Sequence, residues 1–169
     1  SGAEEVGLFR TEMLHLENPD STEDELATAY STVVRSLAPK RVVFRTLDLG
    51  GDKVDERLAA EPEPNPFLGW RGIRLSLGRP DMFRTQLRAL LRAAMHGRVG
   101  IMFPMVSGLQ EVLDAKALLA ECAAELEREG HVVPEEIEVG AMIEIPSAAL
   151  SADQIAAEVD FFSLGTNDL

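Results

Sequence analysis

The chain has 169 residues, 46% of them hydrophobic and 27% charged, with a formal net charge of −13. That balance supports a core and excludes disorder; the acidity argues against a general nucleic-acid or anionic-membrane surface, but not against a few clustered arginines around a small anion. One cysteine, Cys122, excludes an intrachain disulfide and points to the cytoplasm, and no apolar run reaches the ~18 residues of a membrane helix.

Short apolar runs alternate with longer amphipathic stretches. Val6 to Phe9 reads as a strand. Residues 22–37 read as a helix opened by a Thr22/Glu25 capping box, with Leu26, Tyr30, Val33, Val34 and Leu37 on one face. Arg41 to Leu47 is a second strand. Residues 48–69, rich in Gly, Pro and acid, form a long loop of the kind that carries function. Helices follow over 71–77 and 81–95, the second stopped by Gly97, and Val99 to Met105 is a third strand. Ser107 and Gln110 open a capped helix that runs to Glu129, its apolar stripe including Leu109, Val112, Leu113, Leu119 and Leu126. Val139 to Ile145 is a fourth strand, 148–159 a short helix and Phe161 to Leu164 a fifth strand.

The order βαβαβαβαβ specifies a parallel sheet covered by helices, and strands this apolar are buried on both faces. An open doubly wound sheet and a (β/α)₈ barrel compete. The Gly-rich dinucleotide fingerprint is absent after the first strand, whereas Arg10, Arg45 with Asp48, Glu144 and Asn167 with Asp168 stand at successive strand ends. A ring of polar groups there is how barrel sites are built, so the pattern favours the barrel. The chain reads as one domain over 1–169.

An arginine at the end of a buried strand needs an anion, supplied either by a structural salt bridge or by a ligand. Arg10 and Arg45 on neighbouring strands, with Arg71 beside Trp70, suit a small, highly charged anion held by guanidinium forks. Arg74 reads as part of a solvated helix face. Glu144 with Asn167 and Asp168 at the next strand end suits Mg²⁺, which takes one or two carboxylates beside water and phosphate. Gly50-Gly51-Asp52-Lys53 lacks phosphate-loop spacing and reads as a turn, with Lys53 near the anion. His15, His96 and His131 have no metal-ligand spacing and read as surface residues, and Cys122 as a packed helix residue.

The series Gly7-Leu8-Phe9-Arg10-Thr11-Glu12, Arg45-Thr46-Leu47-Asp48-Leu49-Gly50-Gly51-Asp52-Lys53 and Asn65-Pro66-Phe67-Leu68-Gly69-Trp70-Arg71-Gly72-Ile73-Arg74 resembles the enzyme I family of the bacterial phosphoenolpyruvate:sugar phosphotransferase system. Ile101-Met102-Phe103-Pro104-Met105, Met142-Ile143-Glu144-Ile145-Pro146-Ser147-Ala148 and Gly165-Thr166-Asn167-Asp168-Leu169 continue it in the same order. Several of these motifs are shared with pyruvate phosphate dikinase and phosphoenolpyruvate synthase, whose barrel is the alternative within the enzymes. A non-catalytic scaffold or dimerisation piece is the alternative outside them.

The resemblance implies an incomplete (β/α)₈ TIM-type barrel, five parallel strands with covering helices, corresponding to strands two to six of eight. Arg10, Arg45 and Arg71 match the family's phosphoenolpyruvate-binding arginines, Asn167 a phosphate contact, and Glu144 and Asp168 the Mg²⁺ ligands, Asp168 also bordering the substrate. The phosphorylated histidine, a further arginine and the proton-donor cysteine of the family have no counterpart in these residues, so no catalytic group is expected within the chain, which alone would be inactive. The implied reaction is phosphoryl transfer from phosphoenolpyruvate to an enzyme histidine and on to the carrier HPr for sugar uptake, by a cytoplasmic homodimer without membrane insertion. Both ends fall inside the pattern, so continuation on each side is expected. Five strands cannot close a barrel, so the isolated piece is expected to self-associate through its open edges.

Overall fold

The computed structural model describes residues 6–49 and 69–166. In chain order the elements are β1 (Val6–Arg10), α1 (Glu12–Glu17), α2 (Glu23–Leu37), β2 (Val42–Arg45), α3 (Ile73–Gly78), α4 (Pro80–Ala94), β3 (Val99–Phe103), α5 (Leu109–Arg128), β4 (Glu138–Ile143), α6 (Pro146–Leu150), α7 (Ala152–Ala156) and β5 (Phe161–Leu164). The five strands form one sheet in the order β1-β2-β3-β4-β5, and every pairing is parallel. This is an incomplete α/β barrel: the five strands make a curled half-barrel with helices. A doubly wound sheet reverses its strand order partway along, and this one does not.

Alternation along each strand separates two apolar layers. Val42 and Phe44, then Val99, Ile101 and Phe103, then Val139, Ala141 and Ile143 join the main core with α2, α4 and α5. There Phe44 meets Phe9 and Tyr30, with ring centroids 5.1 and 5.2 Å away. The intervening residues Val43, Met102 and Met142 form a separate cluster with Phe161 on the opposite, inner face. Among the described residues, no helix residue enters that cluster, as expected of a barrel lumen.

The Thr22/Glu25 capping box forms as expected, and its backbone hydrogen bond holds the Glu25 carboxyl below the usual range. On the outside, Arg84, Arg88 and Arg92 along α4 face Glu121 and Glu125 along α5, Glu129 at its C-cap and Glu23 on α2. Cys122 is buried in the α5 core, where desolvation pushes its thiol up to about 11, away from nucleophilic use.

Several boundaries depart from the sequence reading for local reasons. Past Arg45 the second strand keeps one more bond, from the Thr46 N–H to the Met102 carbonyl, and then ends because the Leu47 N–H goes to the Gln86 side chain. The third stops at Phe103 because Pro104 has no N–H and the Met105 N–H goes to Glu144. The α5 N-cap is Gly108, and Ser107 instead gives its N–H and hydroxyl to Glu111. The helix expected over 148–159 is two, α6 and α7, broken at Ser151, whose hydroxyl bonds back to the Ser147 carbonyl. The short helix α1 was not expected at all. It buries His15, only 7% exposed, which corrects the surface reading of that histidine.

Two outcomes follow from this packing. At Gly140 on the inner face, an added Cβ would stand 2.3 Å from Cε2 of Phe161. Gly140→Ala should therefore destabilise the chain by about 1–3 kcal/mol by overpacking, and Phe161→Leu in the same chain should relieve much of that loss; urea titrations of the wild type and these two variants test it. Burial lowers the pKa of His15 from its ordinary value of 6.5, so the unfolded state takes up a proton first as pH falls. The stability tied to a neutral His15 is fully present above pH ~6.5 and declines below it. His15→Leu should flatten the fall in unfolding free energy between about pH 7 and 5; equal slopes for both proteins would count against the burial argument.

Candidate functional site

Parallel pairing brings the polar strand ends to one rim. Arg10 and Arg45 are register partners on β1 and β2, side by side at the carboxyl ends. Arg10 is exposed there, while Arg45 is only 8% exposed. Burying that guanidinium requires anionic partners, and two are present. Arg45 Nη2 donates to Glu12 Oε1 at 2.7 Å, and Nη1 lies 3.1 Å from Asp48 Oδ2. The same Glu12 oxygen accepts the Asp48 N–H at 3.1 Å.

Asp48 carries a second arginine. Arg71 Nε and Nη2 donate to its Oδ1 and Oδ2 at 2.9 and 3.1 Å, a bidentate fork. Carboxylates and guanidiniums thus alternate across the rim: Glu12, Arg45, Asp48, Arg71. Trp70, next to Arg71, packs with Leu47, Leu49 and Leu75 in a small cluster that seats this turn over the β2 end.

Gly72 continues the arc. Its φ of +57° suits glycine, and a Cβ there would stand 2.7 Å from Cβ of Met105. Met105, at the β3 end, has a φ of 56°, uncommon outside glycine. Two side chains hold it: Arg74 Nη1 donates to its carbonyl at 2.9 Å, and its N–H donates to Glu144 Oε1 at 2.7 Å. Arg74 also donates from Nε to the Gly69 carbonyl at 2.8 Å. The expectation of a solvated Arg74 is therefore corrected, since folding it inward ties the Arg71 turn to the β3 end.

Glu144 follows β4 and is 3% exposed. The Gly165 N–H pairs with the Ile143 carbonyl, setting the first residue beyond β5 against Glu144, with an added Cβ 2.8 Å from Oε2. The structure thus brings Arg10, Arg45, Arg71 and Glu144 to one rim. Asn167 and Asp168, Lys53 with its Gly-Gly-Asp turn, and most of the expected 48–69 loop lie outside the described residues. Among the described residues no group of three or more His, Cys, Asp or Glu is arranged to hold a metal. The chemistry of Glu144 nevertheless fits a hard cation, as one buried carboxylate of the one or two that Mg²⁺ takes.

Sequence reasoning gave no role to Thr11 and Gln86, both fully buried. The Thr11 hydroxyl donates to the Arg45 carbonyl at 2.9 Å and accepts from Gln86 Nε2 at 3.1 Å. Gln86 also approaches the Tyr30 hydroxyl at 3.2 Å and accepts the Leu47 N–H at 3.1 Å. Burial pushes the Tyr30 phenol up to about 12. The one available signal was a glutamine on the apolar face of α4, between Phe83 and Leu90.

Asp48 is the shared anion of this rim. Asp48→Asn keeps the shape and removes the charge, leaving Arg45 and Arg71 undercompensated. A loss of roughly 3–5 kcal/mol in urea unfolding is expected, and a change within experimental error would show that the rim is not an ionic unit.

The family description "PEP-utilising enzyme, PEP-binding domain" matches residues 1–169. The chain is 55% identical to the phosphoenolpyruvate-protein phosphotransferase of Staphylococcus carnosus (strain TM300), 56% to that of Priestia megaterium and 52% to that of Staphylococcus aureus. Each match covers 100% of this chain and 30% of the relative, so the chain spans about 30% of the length of these curated proteins.

Proposed function

Because the chain belongs to the PEP-utilising enzymes, as their PEP-binding domain, we propose that its rim is the phosphoenolpyruvate site of a phosphoenolpyruvate-protein phosphotransferase. The observation that carries this reading is the gathering of three arginines and a buried carboxylate at the carboxyl ends of successive parallel strands. Phosphoenolpyruvate presents a carboxylate and a phosphate on a three-carbon frame. Arg10, Arg45 and Arg71 offer guanidinium forks of matching geometry, and Asn167 and Asp168 would complete the contacts.

Arg45 and Arg71 already meet Asp48, so the substrate would join a rim whose cations are held in place. Held donors stabilise charge developing on a transferring phosphoryl group without moving during the reaction. The bond from phosphorus to the enolate oxygen breaks as a bond to a histidine nitrogen of the parent forms. The enolate left behind takes a proton at carbon and becomes pyruvate, and HPr is the onward acceptor. Glu144 and Asp168 would hold Mg²⁺, which when bound neutralises phosphate charge. By its resemblance to the enzyme I family we take the parent to be a cytoplasmic homodimer; separately, no described helix is long and apolar enough to cross a membrane.

In the full-length parent, Glu144→Gln should raise the Mg²⁺ concentration for half-maximal activity by at least about tenfold, with the circular dichroism spectrum unchanged. Mn²⁺ binding followed by water-proton relaxation should weaken in parallel, independently of turnover. Wild-type metal dependence in both assays would sink the assignment.

A further inference from the structure

We infer that Thr11 and Gln86 are positioning residues for Arg45, fixing the chain at it and just beyond it so that its guanidinium meets the substrate anion in one place. This rests on the reading that Arg45 binds phosphoenolpyruvate. The β2 strand ends at Arg45, yet the backbone beyond it is not released, and the Thr46 N–H still pairs with the Met102 carbonyl at 2.9 Å. The Arg45 carbonyl is held by the Thr11 hydroxyl, and the Leu47 N–H by the Gln86 amide oxygen. Gln86 then closes the unit by donating to Thr11 Oγ1. Besides the Thr46 N–H bond to the Met102 carbonyl, the backbone at and just after this arginine is therefore held by two side chains, one from the end of β1 and one from α4.

A filler role explains this poorly. The face of α4 that packs on the sheet is otherwise supplied by Phe83, Leu87 and Leu90; an apolar residue at 86 would fill the same interface but leave the buried Leu47 N–H without its acceptor. A fully buried amide making three hydrogen bonds fixes directions that apolar packing leaves loose. The directions fixed are those of residues 45–48, which carry Arg45 and Asp48. Glu12, adjacent to Thr11, takes the Arg45 side chain itself, so the two residues after β1 hold this arginine by backbone and by head group. Arg45 Nε has no hydrogen-bond partner among the described residues although it is buried, so the guanidinium retains donor capacity for a ligand.

The test is steady-state kinetics of the full-length parent with phosphoenolpyruvate as the varied substrate. Thr11→Val, which keeps shape and removes the hydroxyl, and Gln86→Leu should each raise KM by roughly 10–100-fold. Thr11→Ser, which restores the hydroxyl, should return KM to within about threefold of wild type. Leu126→Ala, a core truncation on α5 away from the rim, should lower the melting temperature and leave KM in place. Arg45→Met anchors the comparison. If it raises KM while Thr11→Val does not, the positioning role is overturned and the substrate reading stands. If neither variant moves KM, both fall. A rise in Leu126→Ala equal to that in Thr11→Val would show that KM follows stability alone, and would also overturn the inference.

Discussion

The arrangement of this protein depends on one constraint, the sequential order of five parallel strands. Parallel neighbours need a crossover between them, and crossovers within one sheet share a single hand, so a sheet that never reverses its order places its helices on one face. The other face is left to side chains alone. Both consequences are visible: the large core takes alternate strand residues together with the helices, and the small inner cluster of Val43, Met102, Met142 and Phe161 takes the rest. The same constraint puts every carboxyl end on one rim. Arg10, Arg45, Met105, Glu144 and Gly165 are neighbours for that reason, despite separations of up to 155 positions in the numbering.

At that rim a structural role for a buried arginine is compatible with the proposed ligand-binding one. Arg45 is desolvated and therefore needs carboxylates, which Glu12 and Asp48 provide. Arg71 shares Asp48 and is fixed by it in two directions. Such pairs add little net stability, because desolvation offsets most of their attraction. What they do supply is orientation, with long flexible side chains locked before any anion arrives. A site of this kind avoids the entropy loss of ordering its donors on binding.

How much of this was legible from the sequence follows physical lines. Element type followed from periodicity, and the Thr22/Glu25 cap from two residues three apart. Two strand ends were overestimated where a side chain captures an N–H just past the strand, as Gln86 does at Leu47 and Glu144 at Met105, because such capture depends on tertiary contacts. The helix α1 was missed since six residues with exposed Met13 and Leu16 carry little helical period. His15 and Arg74 read as solvated in the sequence because local pattern cannot show what folds over a residue. The arginines and Glu144 were legible as chemistry from their places at strand ends. Thr11 and Gln86 were not, since their role lies in bonds across 34 and 75 positions.

The two halves of the rim are joined through the backbone of Met105. A residue with a side chain at φ 56° sits in a region of limited stability, and it persists only when its surroundings over-determine it. Here they do: Arg74 takes its carbonyl, Glu144 takes its N–H, and Gly72 closes against its Cβ with no room for another carbon. Arg74 reaches in the other direction to Gly69, at the start of the turn that carries Arg71. The carboxylate expected to face a metal and the arginine expected to face a phosphate are thus fastened to opposite sides of one strained residue. A shift of Met105 would displace both groups together, so the anionic and cationic parts of the site keep their spacing because each is anchored to the same short stretch after β3.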